Sequence, residues 1–331
     1  MVTSPNPAQR GRRGRWLRRT LTLILVVVVV LGGVFYWRPF WVIEGVTNAG
    51  LRLAGVKSAD VHLGSYRIHY LAGGPVGAGG EARPLVLVHG LGGRSQDWAP
   101  MMPSLMRHGY RVYALDLLGF GRSDRPDVDY SIALQTEILR QFFESQRITK
   151  ADLGGWSMGG WVALRFTLAH PDQVRRLFVD DSAGIYFRRA WDPALFHPAT
   201  VDQAEEFLDW LTPQGGRIPR FFARDMIREM RPTAWVVDRA MKSMQEGADL
   251  LDGKLQAIQA PVLIVWGKQD ILVPLSCGEE MHRDIPQSLL EIFDGCGHLA
   301  PVECVNRVLP ETMRFLEAEP PLPPGTREVP P

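Results

Sequence analysis

Six consecutive residues carry the clearest chemical pattern in the chain: Gly155-Trp156-Ser157-Met158-Gly159-Gly160. A serine with glycines two positions before and after it follows a short apolar run at 151–154 and precedes a helical stretch at 161–169. Strand, sharp turn and helix in that order present a serine hydroxyl as a nucleophile. Such a turn crowds the backbone, and Gly155 and Gly159 relieve the crowding. Ser157 also falls at a helix N-terminus, where free N–H groups favour a developing negative charge. A pattern this short arises by chance in loops too, so Ser157 needs partners elsewhere in the chain.

A hydroxyl becomes nucleophilic when a base takes its proton and an acid orients the base. His298 is the best base. It lies in Gly295-Cys296-Gly297-His298, just past an apolar run at 289–293. Asp270 is the best acid. It closes Trp266-Gly267-Lys268-Gln269-Asp270, just past another apolar run at 261–267. Both fall in loops beyond the carboxyl ends of expected strands, where catalytic groups of open α/β sheets gather. A surface-loop histidine and a turn aspartate are the ordinary readings of each residue alone. Asp180-Asp181, past the strand that follows the Ser157 helix, is a competing acid with a poorer surrounding motif. Asp124 reads as a turn residue. A tetrahedral oxyanion needs two fixed N–H donors. The Met158 backbone offers one, and Leu91 in His89-Gly90-Leu91-Gly92-Gly93 offers the other, with Gly90 as a loop glycine. No metal-ligand cluster and no phosphate-binding loop is legible, so neither cofactor nor metal is expected.

The elements that must position these residues follow from the apolar pattern. Buried-strand runs at 84–89, 110–116, 151–154, 176–180, 261–267 and 289–293 alternate with helical segments, including 131–146. Such alternation predicts an α/β fold with a mainly parallel central sheet flanked by helices. A hairpin turning at Gly64-Ser65 is expected at 61–71, and a glycine-rich loop at 73–81. Between 184 and 257 the strands stop, and helical patterns at Val201–Leu211, 217–230 and 233–246 take over. That stretch is too long for a loop and predicts a helical cap inserted into a core of 61–183 and 258–318. Large apolar cap residues such as Phe187, Trp191, Phe221, Phe222, Met226 and Trp235 are expected mostly to pack among themselves, with a minority facing inward. A last helix at 302–317 should be irregular at Pro310, and the proline-rich end, 319–331, should be disordered.

These motifs, with Asp116-Leu117-Leu118-Gly119-Phe120-Gly121-Arg122-Ser123-Asp124, resemble the α/β-hydrolase superfamily, in its serine esterase and lipase branch. The chain order Ser157, Asp270, His298 is the order of that architecture. The resemblance implies a carboxylic ester hydrolase working through an acyl-enzyme on Ser157, with the insert as a cap over the site. It is similar to membrane-anchored monoacylglycerol lipases, and equally carries carbon–carbon bond hydrolases with the same serine, histidine and acid. A basic residue in the pocket would favour the latter. A non-catalytic module on this fold usually lacks one of the three side chains, and all three are present.

The 331 residues carry a formal net charge of +1, unevenly spread. Arg10, Arg12, Arg13, Arg15, Arg18 and Arg19 lie in the first twenty positions with no acid. Without them the chain would hold 31 basic against 36 acidic residues, which gives no basis for a nucleic-acid partner. The uncharged run 21–37 follows and reaches about 25 Å as a helix, near the minimum for a bilayer core. Aromatic residues from Phe35 to Trp41 cluster at its far end. Positive charge inside orients 1–20 as a cytoplasmic tail, 21–37 as an uncleaved signal anchor and 38–60 as a membrane-proximal connector. The catalytic domain then lies outside the cytoplasm, periplasmic if bacterial, with the membrane and a small-molecule or lipid ester as partners. A cleaved signal peptide would show a shorter apolar run ending in small residues. Cys277, Cys296 and Cys304 have no C-x-x-C spacing. They are expected as ordinary apolar residues, with one bridge left open.

Overall fold

Short apolar runs bury on both faces only when they pair side by side and helices cover them. The computed structural model describes residues 7–75, 82–213 and 218–331, and in it these runs form one sheet. The first six residues of the expected tail, 76–81 of the expected glycine-rich loop and residue 217 of an expected cap helix lie outside the described residues.

The strands are β1 (Lys57–Leu63), β2 (Tyr66–Gly73), β3 (Arg83–Val88), β4 (Tyr110–Leu115), β5 (Ala151–Trp156), β6 (Val174–Asp180), β7 (Val262–Gly267), β8 (Ser288–Phe293) and β9 (Gly325–Val329). Their order across the sheet is β1-β2-β4-β3-β5-β6-β7-β8-β9. β2 runs antiparallel to β1 and β4, and every other pairing is parallel. Alternate side chains take opposite faces. Leu85 and Leu87 of β3 pack with Trp98, Met101, Leu105 and Phe315 on one face. Val86 and Val88 pack with Ile138, Leu139, Phe142 and Leu164 on the other. Helices α3 (Met102–Arg107) and α11 (Val305–Glu317) cover the first face, and α4 (Ile132–Ser145) and α5 (Met158–Ala169) the second. The expected mainly parallel sheet flanked by helices is what forms. The cap holds α6 (Val201–Leu211), α7 (Arg220–Met230) and α8 (Ala234–Gln245), and α9 (Leu275–Asp284) follows β7.

Several boundaries differ from expectation. Helix α1 (Pro7–Trp37) starts inside the basic segment, so that segment from Pro7 on and the apolar run form one helix. Helix α2 (Pro39–Leu53) occupies most of the connector, but β1 claims 57–60 because Lys57 already pairs with Ala72. The last helix breaks at Cys304, between α10 (Ala300–Glu303) and α11, and runs unbroken through Pro310. Pro310 sits on the exposed side, as does Asn306, whose carbonyl finds no amide hydrogen at Pro310 to accept from. Cys304 is bonded to Cys296 with 6.2 Å between Cα atoms, and Cys277 is free and buried.

The expectation of a disordered 319–331 is overturned, because Gly325–Val329 adds a parallel strand beside β8. Charge holds it there. The buried Glu291 of β8 lies 2.6 Å from Arg314 and 3.2 Å from Arg327 of β9. Composition alone hid this pairing, since its partners lie far away in sequence. Removing residues 319–331 strands Glu291 with one partner and exposes the β8 edge. The truncated protein should lose at least about 1 kcal/mol, roughly 2–4 °C or more in thermal midpoint. An unchanged midpoint in calorimetry would refute the docking of β9.

At the end of β6, burial pushes the Asp180 carboxyl up to about 8, and neither oxygen has a hydrogen-bond partner among the described residues. In the unfolded chain an aspartate ionises near ~3.9. Between about pH 4 and 8 the folded protein therefore keeps a proton that the unfolded chain has lost, and stability falls as pH rises through that window. Asp180→Asn removes this slope. Its thermal midpoint should gain on the wild type progressively from about pH 5 to 8, and a gap that stays constant with pH contradicts the assignment.

Candidate active site

Ser157 occupies the single step between β5 and α5, with φ +54° and ψ −120°. Positive φ is costly for a residue with a Cβ and persists only where surroundings hold it. Here they do. The Ser157 amide donates to the Asp180 carbonyl at 2.9 Å, and the Ser157 carbonyl accepts from Ala183 and Trp161 at 3.2 Å each. The neighbouring glycines are steric necessities. A Cβ on Gly155 would stand 2.4 Å from the Gly159 carbonyl oxygen, and one on Gly159 only 2.2 Å from that of Val88. A Cβ on Gly90 would press the Ser157 Cβ at 3.1 Å.

The serine reaches His298, whose Nε2 lies 2.9 Å from Ser157 Oγ. His298 Nδ1 lies 2.7 Å from Asp270 Oδ2. The other Asp270 oxygen accepts from the amides of Leu272 and Val273 at 2.8 and 3.0 Å. An ionised carboxylate only accepts, so the geometry assigns the proton to His298 Nδ1 and leaves Nε2 free to accept from the serine. Trp156 donates its indole N–H to the His298 carbonyl at 2.8 Å, and Gly297 donates to Glu303 at 2.6 Å, with the Cys296–Cys304 bond closing the same loop. The competing acids are elsewhere: Asp181 accepts from the Gly267 amide at 2.7 Å, and burial holds its carboxyl well above the usual range. Asp124 accepts from the Arg67 backbone and side chain, as a turn residue does.

Leu91 and Met158 border the same cavity as Ser157 and His298. Met158 opens α5, so its amide has no acceptor within the helix. The Leu91 loop is braced by His89, a role the sequence did not reveal. His89 Nδ1 donates to the Gly90 carbonyl at 2.7 Å, and its Nε2 accepts from the Leu117 amide at 3.0 Å. With one nitrogen donating and the other accepting, His89 ties the loop after β3 to the loop after β4.

A second Ser–His–Asp arrangement shows why distances alone are insufficient. Ser58 Oγ lies 2.8 Å from His69 Nε2, and His69 Nδ1 lies 2.8 Å from Asp116. Asp116 also accepts from the amides of Ser95 and Arg122 at 2.6 and 2.8 Å. Burial raises the Asp116 carboxyl, but these hydrogen bonds overcome it and hold the group at about 2. The cavity beside Ser58 measures about 30 Å3, room for about one water. Asp116 is a clamp that ties the loop after β3 to the loop after β4.

The cavity over Ser157 measures about 1070 Å3. Phe187, Trp191, Phe196, Met226, Met230 and Met241 all border it, so more of the cap's large side chains face inward than the sequence suggested. The space is wide enough that α7 and α8 line it instead of closing on each other. Phe221, Phe222 and Trp235 do not border it. Four arginines, Arg94, Arg125, Arg188 and Arg189, do. Arg94 is paired with Glu44 at 2.9 Å, and Arg125 donates to the carbonyls of Gly119 and Gly121.

Comparison with known proteins agrees with this architecture. The chain is 30% identical over 257 residues to a 2-hydroxy-6-oxo-2,4-heptadienoate hydrolase of Pseudomonas putida, covering 72% of this chain and 91% of that protein. A membrane phospholipase A described as a bacterial virulence factor superposes with a TM-score of 0.76 at 26% identity, over 91% of this chain and 98% of the other. A serine hydrolase involved in carbazole degradation superposes with a TM-score of 0.65 at 27% identity, over 79% and 99%. The model of the alpha/beta hydrolase family matches residues 85–308. That match runs from the strand before the Leu91 loop to the helix after His298, and the chain belongs to the alpha/beta hydrolase family.

Proposed function

We propose that this hydrolase cleaves carboxylic esters of lipid-like or acylglycerol type through an acyl-enzyme on Ser157. The observation that carries the reading is the contact of Ser157, His298 and Asp270 at the floor of a large, mostly apolar cavity. His298 takes the hydroxyl proton as Ser157 attacks the ester carbon. The carbonyl oxygen gains negative charge and is held by the Leu91 and Met158 amides. His298 then protonates the leaving alcohol, and water, activated by the same imidazole, releases the acid. Asp270 keeps the imidazole in the required tautomer.

Lipid-like substrates are favoured by volume and by setting. The cavity is at the upper end for small-ligand sites, and Met side chains let it adapt to a flexible chain. Residues Arg18–Trp37 form a helical span of mean hydropathy 2.4, none of it buried against the protein. With arginines on its amino-terminal side, this span serves as the membrane anchor, with the catalytic domain outside the cytoplasm. The Cys296–Cys304 bond supports that placement, since disulfides persist in oxidising compartments. The membrane phospholipase A among the structural neighbours fits the same reading.

Carbon–carbon bond hydrolysis is the second reading. Arg188 and Arg189 at the cavity suit a substrate carboxylate, and the Pseudomonas putida relative is a dienoate hydrolase.

Ser157→Ala should abolish labelling by a fluorophosphonate probe, and Asp270→Asn should lower kcat by about 10⁴-fold. Asp181→Asn, which keeps an oxygen to accept from the Gly267 amide, should change kcat less than about tenfold. Persistent labelling of Ser157→Ala would remove Ser157 as the nucleophile. For substrate, kcat/KM on p-nitrophenyl esters should rise by about tenfold for every two added methylenes until the cavity is filled. Turnover of a 2-hydroxy-6-oxodienoate with no response to ester chain length selects the second reading.

A further inference from the structure

Helix α2 is built into the cavity it would otherwise merely support. Its amino terminus is capped by a residue of the cap: the fully buried Asp225 of α7 accepts from the Phe40 amide at 3.0 Å, one of the donors a helix start leaves unpaired. The same carboxylate lies 3.1 Å from Arg38 Nε and 2.8 Å from Arg228. Arg38 also reaches Glu229 at 2.6 Å, and Arg228 donates to the Trp37 carbonyl at 3.0 Å. Aromatic contacts continue the joint, with Tyr36 stacked on Phe221 at 5.1 Å and Phe40 edge-on to Phe222 at 5.9 Å. On its other side α7 turns Met226 and Met230 to the cavity, and Phe40 lines the cavity beside them.

Two further facts mark the outer side of this wall as apolar. Phe40 stands three residues after Trp37, the last of the apolar span, so at most roughly 11 Å of chain separates it from the span's end. Along α2, Ile43, Val46 and Leu53 share one helical face and are 43, 68 and 90% exposed. Their spacing of three and seven makes an apolar stripe that nothing in the protein covers among the described residues. A stripe continuous with a membrane span matches a helix lying in the bilayer interface.

We propose that α2 lies on the bilayer surface as the membrane-side wall of the substrate entrance, so that long-chain acyl esters reach Ser157 from the lipid leaflet and not from water. Asp225 and Arg38 act as positioning residues, holding the cap helix over that entrance. The proposal rests on the ester-hydrolase reading above.

The test uses the full chain reconstituted in vesicles of ether-linked phosphocholine lipid, which has no carboxylic ester to cleave, carrying monoolein. Oleate release is compared with hydrolysis of water-soluble p-nitrophenyl butyrate by the same preparation. The double variant V46E/L53E changes only exposed side chains and leaves the anchor intact. It should lower oleate release by about tenfold or more while butyrate hydrolysis stays within about twofold. Arg38→Gln, which loosens the joint, should split the two rates in the same direction. Equal loss on both substrates, or no loss on monoolein in V46E/L53E, overturns the proposal and leaves the ester reading standing. A wild-type protein that cleaves neither ester overturns both.

Discussion

Everything at the site depends on one strained residue. Ser157 holds a backbone conformation that costs of order 1–3 kcal/mol for a side-chain-bearing residue. The sheet supports it from both sides. β6 receives its amide, Ala183 and Trp161 bind its carbonyl, and Gly159 lets α5 approach the end of β3 closely. In return the strain lifts the hydroxyl out of the strand and aims it at His298. No flexible loop could hold that geometry, which is why the turn sits between the two most central parallel pairings, β3–β5 and β5–β6.

The same logic extends outward from the serine. His298 and Asp270 each sit one loop beyond a strand of the same parallel block, so the register of β7 and β8 sets their separation. Loops are the least rigid part of such a fold, and here each is tied down. Asp270 is held by two amides, the His298 loop by Trp156, Glu303 and a disulfide, and the Leu91 loop by His89 and by Asp116 through Ser95. Orientation is therefore built in before any substrate binds, which is the condition for electrostatic stabilisation of a developing oxyanion.

Much of this was legible in the sequence because it is local. Strand runs, the Gly155–Gly160 turn and the positions of Asp270 and His298 after apolar runs all follow from spacing. What stayed hidden depends on contacts distant in sequence. β9 looks like a proline-rich tail until Glu291 and Arg327 are seen together. Cys296 and Cys304 show no known motif and meet only because α10 turns back between them. The inward turn of Met226 and Met230 depends on what else binds α7, and that includes Arg38, some 190 residues earlier in the chain. Helical periodicity says that a helix has two faces but not which neighbour takes which face.

The acid that binds the cap to the start of α2 also limits how the cap can move. Asp225 is fully buried and satisfied by an amide and two guanidinium groups from three directions. Withdrawing one of those partners leaves a buried charge short of compensation, a loss of several kcal/mol in comparable pairs. The α7 edge of the cap is therefore a fixed edge. The stretch from Gly184 to Trp191 is tied down too, the Gly184 carbonyl accepting from Leu251, the Tyr186 amide donating to Asp252 and the Trp191 indole N–H donating to the Leu272 carbonyl. A cap held in this way sets Phe40 and the methionines of α7 along one part of the cavity and Arg188 and Arg189 along another.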